Sequence, residues 1–408
     1  MKGLFTASML SLRLNSFWLL FSRISAQALA VIFIALVARR LEPASFGQFT
    51  FIAAIIFIGN TFTSFGTDTL LIREIAKAGQ INILVVRAFT LQIWLCIFWC
   101  FATLLFRVEV PLLIFSFSLF PLAIFSIISA LLRAFERMDL FWGLNLVNGL
   151  LQVLAAVFSK DLLTLCILLL IGNMLTAFLA LRIFSILSPD FRLFPFLDFR
   201  PLLPLVLPLA ALTTLSVLSQ RLGVLSLSIL LDEAATGLFS SAARVVDAMK
   251  FGHYAILGAL LPALSRGALH SNKNYKMTFA GLLCLSILLA GAVTFLAHPI
   301  INIVFGAEYI PAADLLTIIV WSLVPYTISA FLSVHLVVLG KEIVLLKTTL
   351  LSLAFSIFLF IWLIKGYGLH GAAWAALIGE MVQATIFIII QNRLAVKNFD
   401  AANDGVLK

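Results

Sequence analysis

Charge is what this chain has least of. Only 11% of its 408 residues are Asp, Glu, Lys or Arg, while 63% are hydrophobic. Soluble domains carry about 25% charged residues and about 45–50% apolar ones. With a mean hydropathy of +1.16, the composition excludes a protein built mainly of soluble domains and requires a polytopic membrane protein. Cysteine is nearly as scarce. The four, Cys96, Cys100, Cys166 and Cys284, all lie in apolar runs. Cys96 and Cys100 share a helical face that could hold a metal, but small buried apolar side chains are the favoured reading. No zinc-ligand spacing and no Lys/Arg-rich tail occurs, so the net charge of +9 does not argue for nucleic acid. In a membrane protein a basic balance reports topology. The N-terminal apolar run carries Arg23 midway and lacks a small-residue cleavage pattern, so it reads as a span and not a cleaved signal.

What is present is a succession of apolar runs of about 20 residues. Twelve are expected, near 14–37, 46–66, 84–106, 111–132, 140–158, 162–187, 203–230, 236–265, 277–304, 311–339, 343–364 and 370–391. The predicted fold is an all-α polytopic membrane protein. The longest connection, SPDFRLFPFLDFRPL from 188 to 202, holds three prolines. It suggests a six-helix half over 1–188, a linker over 189–202 and a second half over 203–408. With the N-terminus in the cytoplasm, 18 of the 27 basic residues fall in cytoplasmic segments, five outside and four within spans. That bias predicts cytoplasmic N- and C-termini.

The eighth span breaks the apolar rule. It reads LDEAATGLFSSAARVVDAMKFGHYAILGALLPALSR over 231–266, with Arg244, Asp247, Lys250 and His253 inside. Each Arg, Lys or Asp at a helix centre costs roughly 2.5–3.5 kcal/mol on insertion scales. Arg244, Asp247 and Lys250 are spaced three apart and share one face. That face is expected to look at protein or at a wet cavity, not at lipid.

An internal repeat is also present. LEPASFGQF (41–49) and LDEAATGLF (231–239) align without a gap at an offset of 190, matching at Leu, an acid, Ala, Gly and Phe. A weaker echo pairs Phe106–Glu109 with Phe305–Glu308 after the third and ninth spans. Two parallel repeats of six helices predict a transporter with a central cavity between them, working by rocking.

ARRLEPASFGQFTF after the first span, LDEAATGLFSSAARV after the seventh, FGAEYIPAADLL (305–316) and YGLHGAAWAALIGEM (367–381) together resemble bacterial polysaccharide transporters. These belong to the multidrug, oligosaccharidyl-lipid and polysaccharide flippase superfamily. The resemblance implies an O-antigen-type flippase of the bacterial inner membrane. Its substrate would be a polyprenyl-diphosphate-linked oligosaccharide, moved from the cytoplasmic to the outer leaflet. It further implies the lipid bilayer and glycan polymerase machinery as partners, no nucleic acid, and no cofactor beyond H+ or Na+ as a coupling ion. One chain suffices to form the cavity, so a monomer is enough.

A diphosphate cannot cross hydrocarbon without a large desolvation cost. A flippase must offer it cations, and the planar fork of Arg suits phosphate oxygens. The candidate diphosphate-binding residues are Arg23, Arg221, Arg244 and Lys250. The candidate polar lining is Gln27, Asn60, Ser64 and Gln220, with Thr213 and Ser216 on the stripe of Gln220. Asp247 and Glu380 are the candidates for ion coupling. Each has a structural alternative: Asp247 as an ion-pair partner of Arg244 or Lys250, Arg23 and Arg221 bonded to backbone carbonyls, His253 as a packing residue. The other spans, 3, 4, 5, 6, 9 and 11, read as bland lipid-facing walls. Two rival functions remain. A multidrug extruder of the same fold would need an acidic, aromatic cavity for cationic substrates. A glycan polymerase or ligase would need a large outward loop, and the outward loops here are about a dozen residues or fewer. No nucleophile–base pair, metal motif or phosphate-binding glycine loop occurs, so no enzyme is expected.

Overall fold

The computed structural model describes residues 9–75, 81–105, 109–187, 198–265, 272–338 and 341–406. Most of the expected linker, 189–197, lies outside them. Among the described residues every regular element is a helix. In chain order these are α1 (Met9–Arg40), α2 (Pro43–Ser64), α3 (Thr67–Ile75), α4 (Ile81–Leu105), α5 (Val110–Ser116), α6 (Leu119–Ala134), α7 (Met138–Phe158), α8 (Leu162–Leu187), α9 (Leu203–Leu230), α10 (Glu233–Ser265), α11 (Asn272–Val304), α12 (Ala312–Ile319), α13 (Leu323–Val338) and α14 (Glu342–Val406). Ten stretches of the described residues are long and apolar enough to cross a membrane, the last being Ile343–Arg393. That stretch is two passes. Gly368 interrupts α14 with φ +57° and ψ −133°, a region open essentially to glycine alone. Beyond the reversal the arms run back to back, so tightly that a Cβ on Gly371 would strike the Leu363 carbonyl, and one on Gly379 would touch Ser356 Oγ at 3.0 Å. Counting this stretch twice and adding the 33-residue α10 brings ten to the twelve passes expected.

The chain forms two compact units, Met1–Ser45 with Phe49–Leu218, and Phe46–Gln48 with Ser219–Lys408. In the first, α6 is the buried centre. Ile127, Ile128, Ala130, Leu131 and Leu132 are essentially inaccessible, packed with Leu70 and Leu71 of α3, Val85 and Ala88 of α4, and Ala180 and Phe184 of α8. The α5–α6 pass is 56% buried. This corrects the expectation that the fourth span is a lipid-facing wall. An all-round apolar helix suits a protein core as well as it suits lipid, so hydropathy does not separate them. α7 lies along α1, where Trp142 Nε1 donates to Ser25 Oγ at 3.3 Å and its ring meets Trp18 at 5.0 Å.

In the second unit the matching role falls to α12 and α13. Ala312, Leu315, Leu316, Val320 and Leu323 are inaccessible, and the Ala312–Val334 pass is 61% buried, the highest share of the ten. Both central passes are broken. The first turns at Phe117–Ser118 and the second at the 3-10 turn Val320–Ser322. Pro121 and Pro325 stand just downstream. Each lacks the N–H that would bond the carbonyl four residues back, and the chain rearranges there. Pro208 and Pro299 lie inside α9 and α11. Pro204 sits in the first turn of α9, where no N–H is needed. The side chain of Pro262 lies outside the described residues. At the outer surface, apolar side chains such as Phe295 stay 89% exposed, as lipid-facing positions require.

Candidate functional site

The two copies of the repeated motif each start a helix, by different means. Asp232 Oδ1 accepts the Ala235 N–H at 2.7 Å, capping α10. Glu42 makes no such bond at α2, where Pro43 supplies the helical φ instead. The motif glycines are a packing device. Phe46–Gln48 belongs to the second unit, and a Cβ on Gly47 would collide with the Glu233 carbonyl and reach Gly237 N at 2.9 Å. Gly237 is the aligned glycine of the second copy. Gln48 Nε2 donates to Glu233 Oε1 at 2.8 Å, and Phe46 stacks edge-on to Tyr309 at 5.6 Å.

This capped start sets α10 against α9. A Cβ on Gly223 would meet the Phe239 ring at 2.6 Å, so the two helices approach closely near their connection. Two residues before Gly223 on α9 stands Arg221. Arg221, Arg244 and Asp247 lie within mutual electrostatic reach. The two guanidinium groups are partly buried and Asp247 is exposed. A cation pair with one carboxylate leaves a positive balance that an oxygen anion can neutralise.

Lys250 stands two turns further along α10, roughly 9 Å from Arg244 at the helical rise. Its partner is Glu380 Oε1, at 2.6 Å, and its ammonium lies over the Tyr326 ring, 4.7 Å from the centroid. The two side chains are about one-fifth exposed, at 20% and 21%. Sequence spacing offered Asp247 as a partner of Arg244 or Lys250; the last pass, 130 residues away, supplies Glu380. His253 is 1% exposed. Its Nδ1 faces the Met249 carbonyl at 3.2 Å, which makes Nδ1 the protonated nitrogen, and Nε2 has no hydrogen-bond partner among the described residues.

The remaining candidates belong to the first unit or to α9. Arg23 is exposed on α1, within electrostatic reach of Arg133, and Gln27 is partly buried one turn on. Asn60 and Ser64 are partly buried on α2, where the Ser64 hydroxyl donates to the Thr61 carbonyl at 3.0 Å. Gln220 is exposed. Thr213 and Ser216 donate to carbonyls of their own helix, Leu209 and Leu212.

A polar cluster of the first unit was not anticipated. Phe65 (φ +48°) and Gly66 (φ +70°) turn the chain sharply after α2, which brings Asp68 to the first turn of α3. Asp68 Oδ1 accepts from Ser126 Oγ at 2.5 Å, with Arg133 within electrostatic reach. Next to it Gln92 Nε2 donates to Thr67 Oγ1 at 2.6 Å, and Gln92 Oε1 has no hydrogen-bond partner among the described residues. Burial raises the Asp68 carboxyl above its ordinary range, against the Ser126 hydrogen bond and the Arg133 charge. The signal available was Ser126, Ser129 and Arg133 on one face of an apolar span. Cys96 and Cys100 are buried, their thiols toward the Leu119 and Ser116 carbonyls. Among the described residues no group of three metal-ligating side chains occurs.

Comparison with solved structures places this architecture. The chain is similar to the lipid II flippase MurJ in an inward closed conformation, at 17% identity and a TM-score of 0.75, over 93% of this chain and 87% of that one. It is also similar to an inward-facing multidrug resistance MATE family transporter of the MOP superfamily, at 15% identity and a TM-score of 0.73, over 92% and 98%. An outward-facing structure of a MATE family transporter matches at 17% identity and a TM-score of 0.64, over 95% of each chain. No curated protein matches the sequence. At these identities the likeness establishes the fold. The family comes from the sequence: the polysaccharide biosynthesis protein family matches residues 12–268, more than half of the chain. The chain is a multi-pass membrane protein that belongs to the polysaccharide biosynthesis protein family.

Proposed function

We propose that this protein is a flippase that carries a polyprenyl-diphosphate-linked oligosaccharide from the cytoplasmic to the outer leaflet of the bacterial inner membrane. The observation that carries this reading is the pairing of Arg221 with Arg244 on adjacent helices, within segments that otherwise satisfy the membrane. Two partly buried guanidinium groups repel each other and lose hydration. Asp247 balances one of these charges, and the positive balance that the three groups keep suits a further anion; a diphosphate has the charge and the oxygen count. The polyprenyl tail stays in lipid while the headgroup follows the polar side chains. Arg221, Arg244, Lys250 and Arg23 bind the diphosphate. Gln27, Asn60, Ser64 and Gln220 hydrogen-bond to the glycan. Asp247 and Glu380 are the carboxylates available to a coupling H+ or Na+.

Membership of a polysaccharide biosynthesis family and fold likeness to a lipid II flippase support this reading. The same fold serves multidrug transporters, but an extruder of organic cations gains nothing from paired arginines. The basic bias of the expected cytoplasmic segments supports cytoplasmic termini, and delivery to the outer leaflet fits a glycan polymerase as the next partner. The test is glycan export in cells carrying Arg221→Ala, Arg244→Ala, Lys250→Ala or Arg23→Ala, with expression and membrane insertion verified. The expected result is lipid-linked oligosaccharide retained on the cytoplasmic leaflet, most severely for Arg221→Ala and Arg244→Ala. Normal export by both of these variants rejects the proposal.

A further inference from the structure

Lys250 already has an anion. Glu380 holds it at 2.6 Å, and Tyr326 of α13 lies against its other side, so three helices meet at one ammonium. A ligand anion that takes over the hydrogen bond Glu380 accepts from Lys250 displaces that carboxylate. The displaced carboxylate, only about one-fifth exposed at 21%, is then left without its cation in a poorly hydrated place, which is costly. A singly charged anion offers the ammonium no more than Glu380 does and leaves that cost uncovered. A doubly charged anion that reaches Lys250 and the Arg221–Arg244 pair together gains from all three cations. The distinction matters in a membrane, where the commonest anions are phospholipid headgroups with a single phosphodiester charge and they collect at basic sites.

We infer that Glu380 is an internal counter-anion that withholds Lys250 from singly charged phospholipid headgroups and yields it to a diphosphate. The diphosphate half of this inference rests on the flippase reading above. Glu380 here acts through Lys250 and is a positioning residue, and Tyr326 holds the ammonium in place while its anion is exchanged.

The experiment is calorimetric titration of the purified full chain in nonionic detergent. One probe is UDP-glucose, a soluble, doubly charged diphosphate diester. The other is dihexanoylphosphatidylglycerol, a singly charged phosphodiester. The wild-type protein is expected to prefer UDP-glucose. Glu380→Gln is expected to tighten UDP-glucose binding about tenfold, because the diphosphate no longer has to displace the carboxylate, and to tighten phosphatidylglycerol binding less, by no more than the Lys250 contact it gains. In the Lys250→Met background the Glu380→Gln change is expected to add nothing. A Glu380→Gln protein with wild-type affinity for both probes overturns the inference, as does a gain that persists without Lys250, or binding of neither probe to either protein. The two readings fail differently. If Arg244→Gln loses UDP-glucose while Glu380→Gln changes nothing, the flippase reading stands and the counter-anion role falls. If Glu380→Gln gains only phosphatidylglycerol and no form binds UDP-glucose, Glu380 still shields Lys250 and the diphosphate reading falls.

Discussion

Asp68 shows how one residue can carry information that composition hides. Its carboxyl is raised by burial in the first turn of α3, outside the ten apolar stretches. An acid whose folded value lies above its unfolded one binds its proton more tightly when folded. The native state therefore loses relative stability as pH rises from the ordinary carboxylate value, about 4, up to the folded value, and the loss is complete above it. Asp68→Asn removes that slope while keeping an oxygen to accept from Ser126. Thermal unfolding of the detergent-solubilised protein between about pH 4 and pH 8 should show a wild-type midpoint that falls with pH relative to the variant. Parallel profiles contradict the assignment. Asp68 escaped sequence reading because its partner is Ser126, 58 residues away, and distance in sequence conceals such a pair. Arg244, Asp247 and Lys250 were legible because an intramembrane charge stands out by itself. Their partners were not: spacing along α10 pointed from Lys250 to Asp247, while the 2.6 Å contact is to Glu380.

At the scale of elements, the passes themselves were the most legible feature, since a run of about 20 apolar residues meets the thickness of hydrocarbon. The reversal at Gly368 divides the last two passes where the sequence expectation did, between 364 and 370. Its φ of +57° and ψ of −133° predict that Gly368→Ala costs about 1–3 kcal/mol and lowers the thermal midpoint. Gly366→Ala, where a Cβ meets open space, should leave it nearly unchanged; equal effects would show that the turn is not strained. What hydropathy could not give is which apolar pass is core. The α5–α6 and α12–α13 passes are the most buried of the ten, yet they are as apolar as their lipid-facing neighbours. Their breaks were half legible. Pro325 marks the second, and Pro121 marks the first without having drawn attention, because it lies near the start of α6.

At the scale of the whole molecule, each unit is built on one plan, with a broken, buried pass at its centre, and the motif repeated at an offset of 190 is the sequence trace of that plan. The aligned glycines Gly47 and Gly237 approach so closely that Gly47 has no room for a Cβ against Glu233. Gly47→Val should therefore destabilise by about 1–3 kcal/mol or more, read as reduced yield of folded protein after detergent extraction. A yield equal to wild type would mean that this contact gives way without cost. The function proposed for this scaffold depends on its cations moving a diphosphate headgroup, and leaflet exchange in purified proteoliposomes measures that most directly. Vesicles holding a fluorescent polyprenyl-diphosphate-linked oligosaccharide would be scored by the fraction of label reached by a membrane-impermeant quencher over time. The account predicts protein-dependent exchange by the wild type, and its loss in the Arg221→Gln and Arg244→Gln proteins. Exchange that matches protein-free vesicles, or that persists undiminished in both variants, contradicts it.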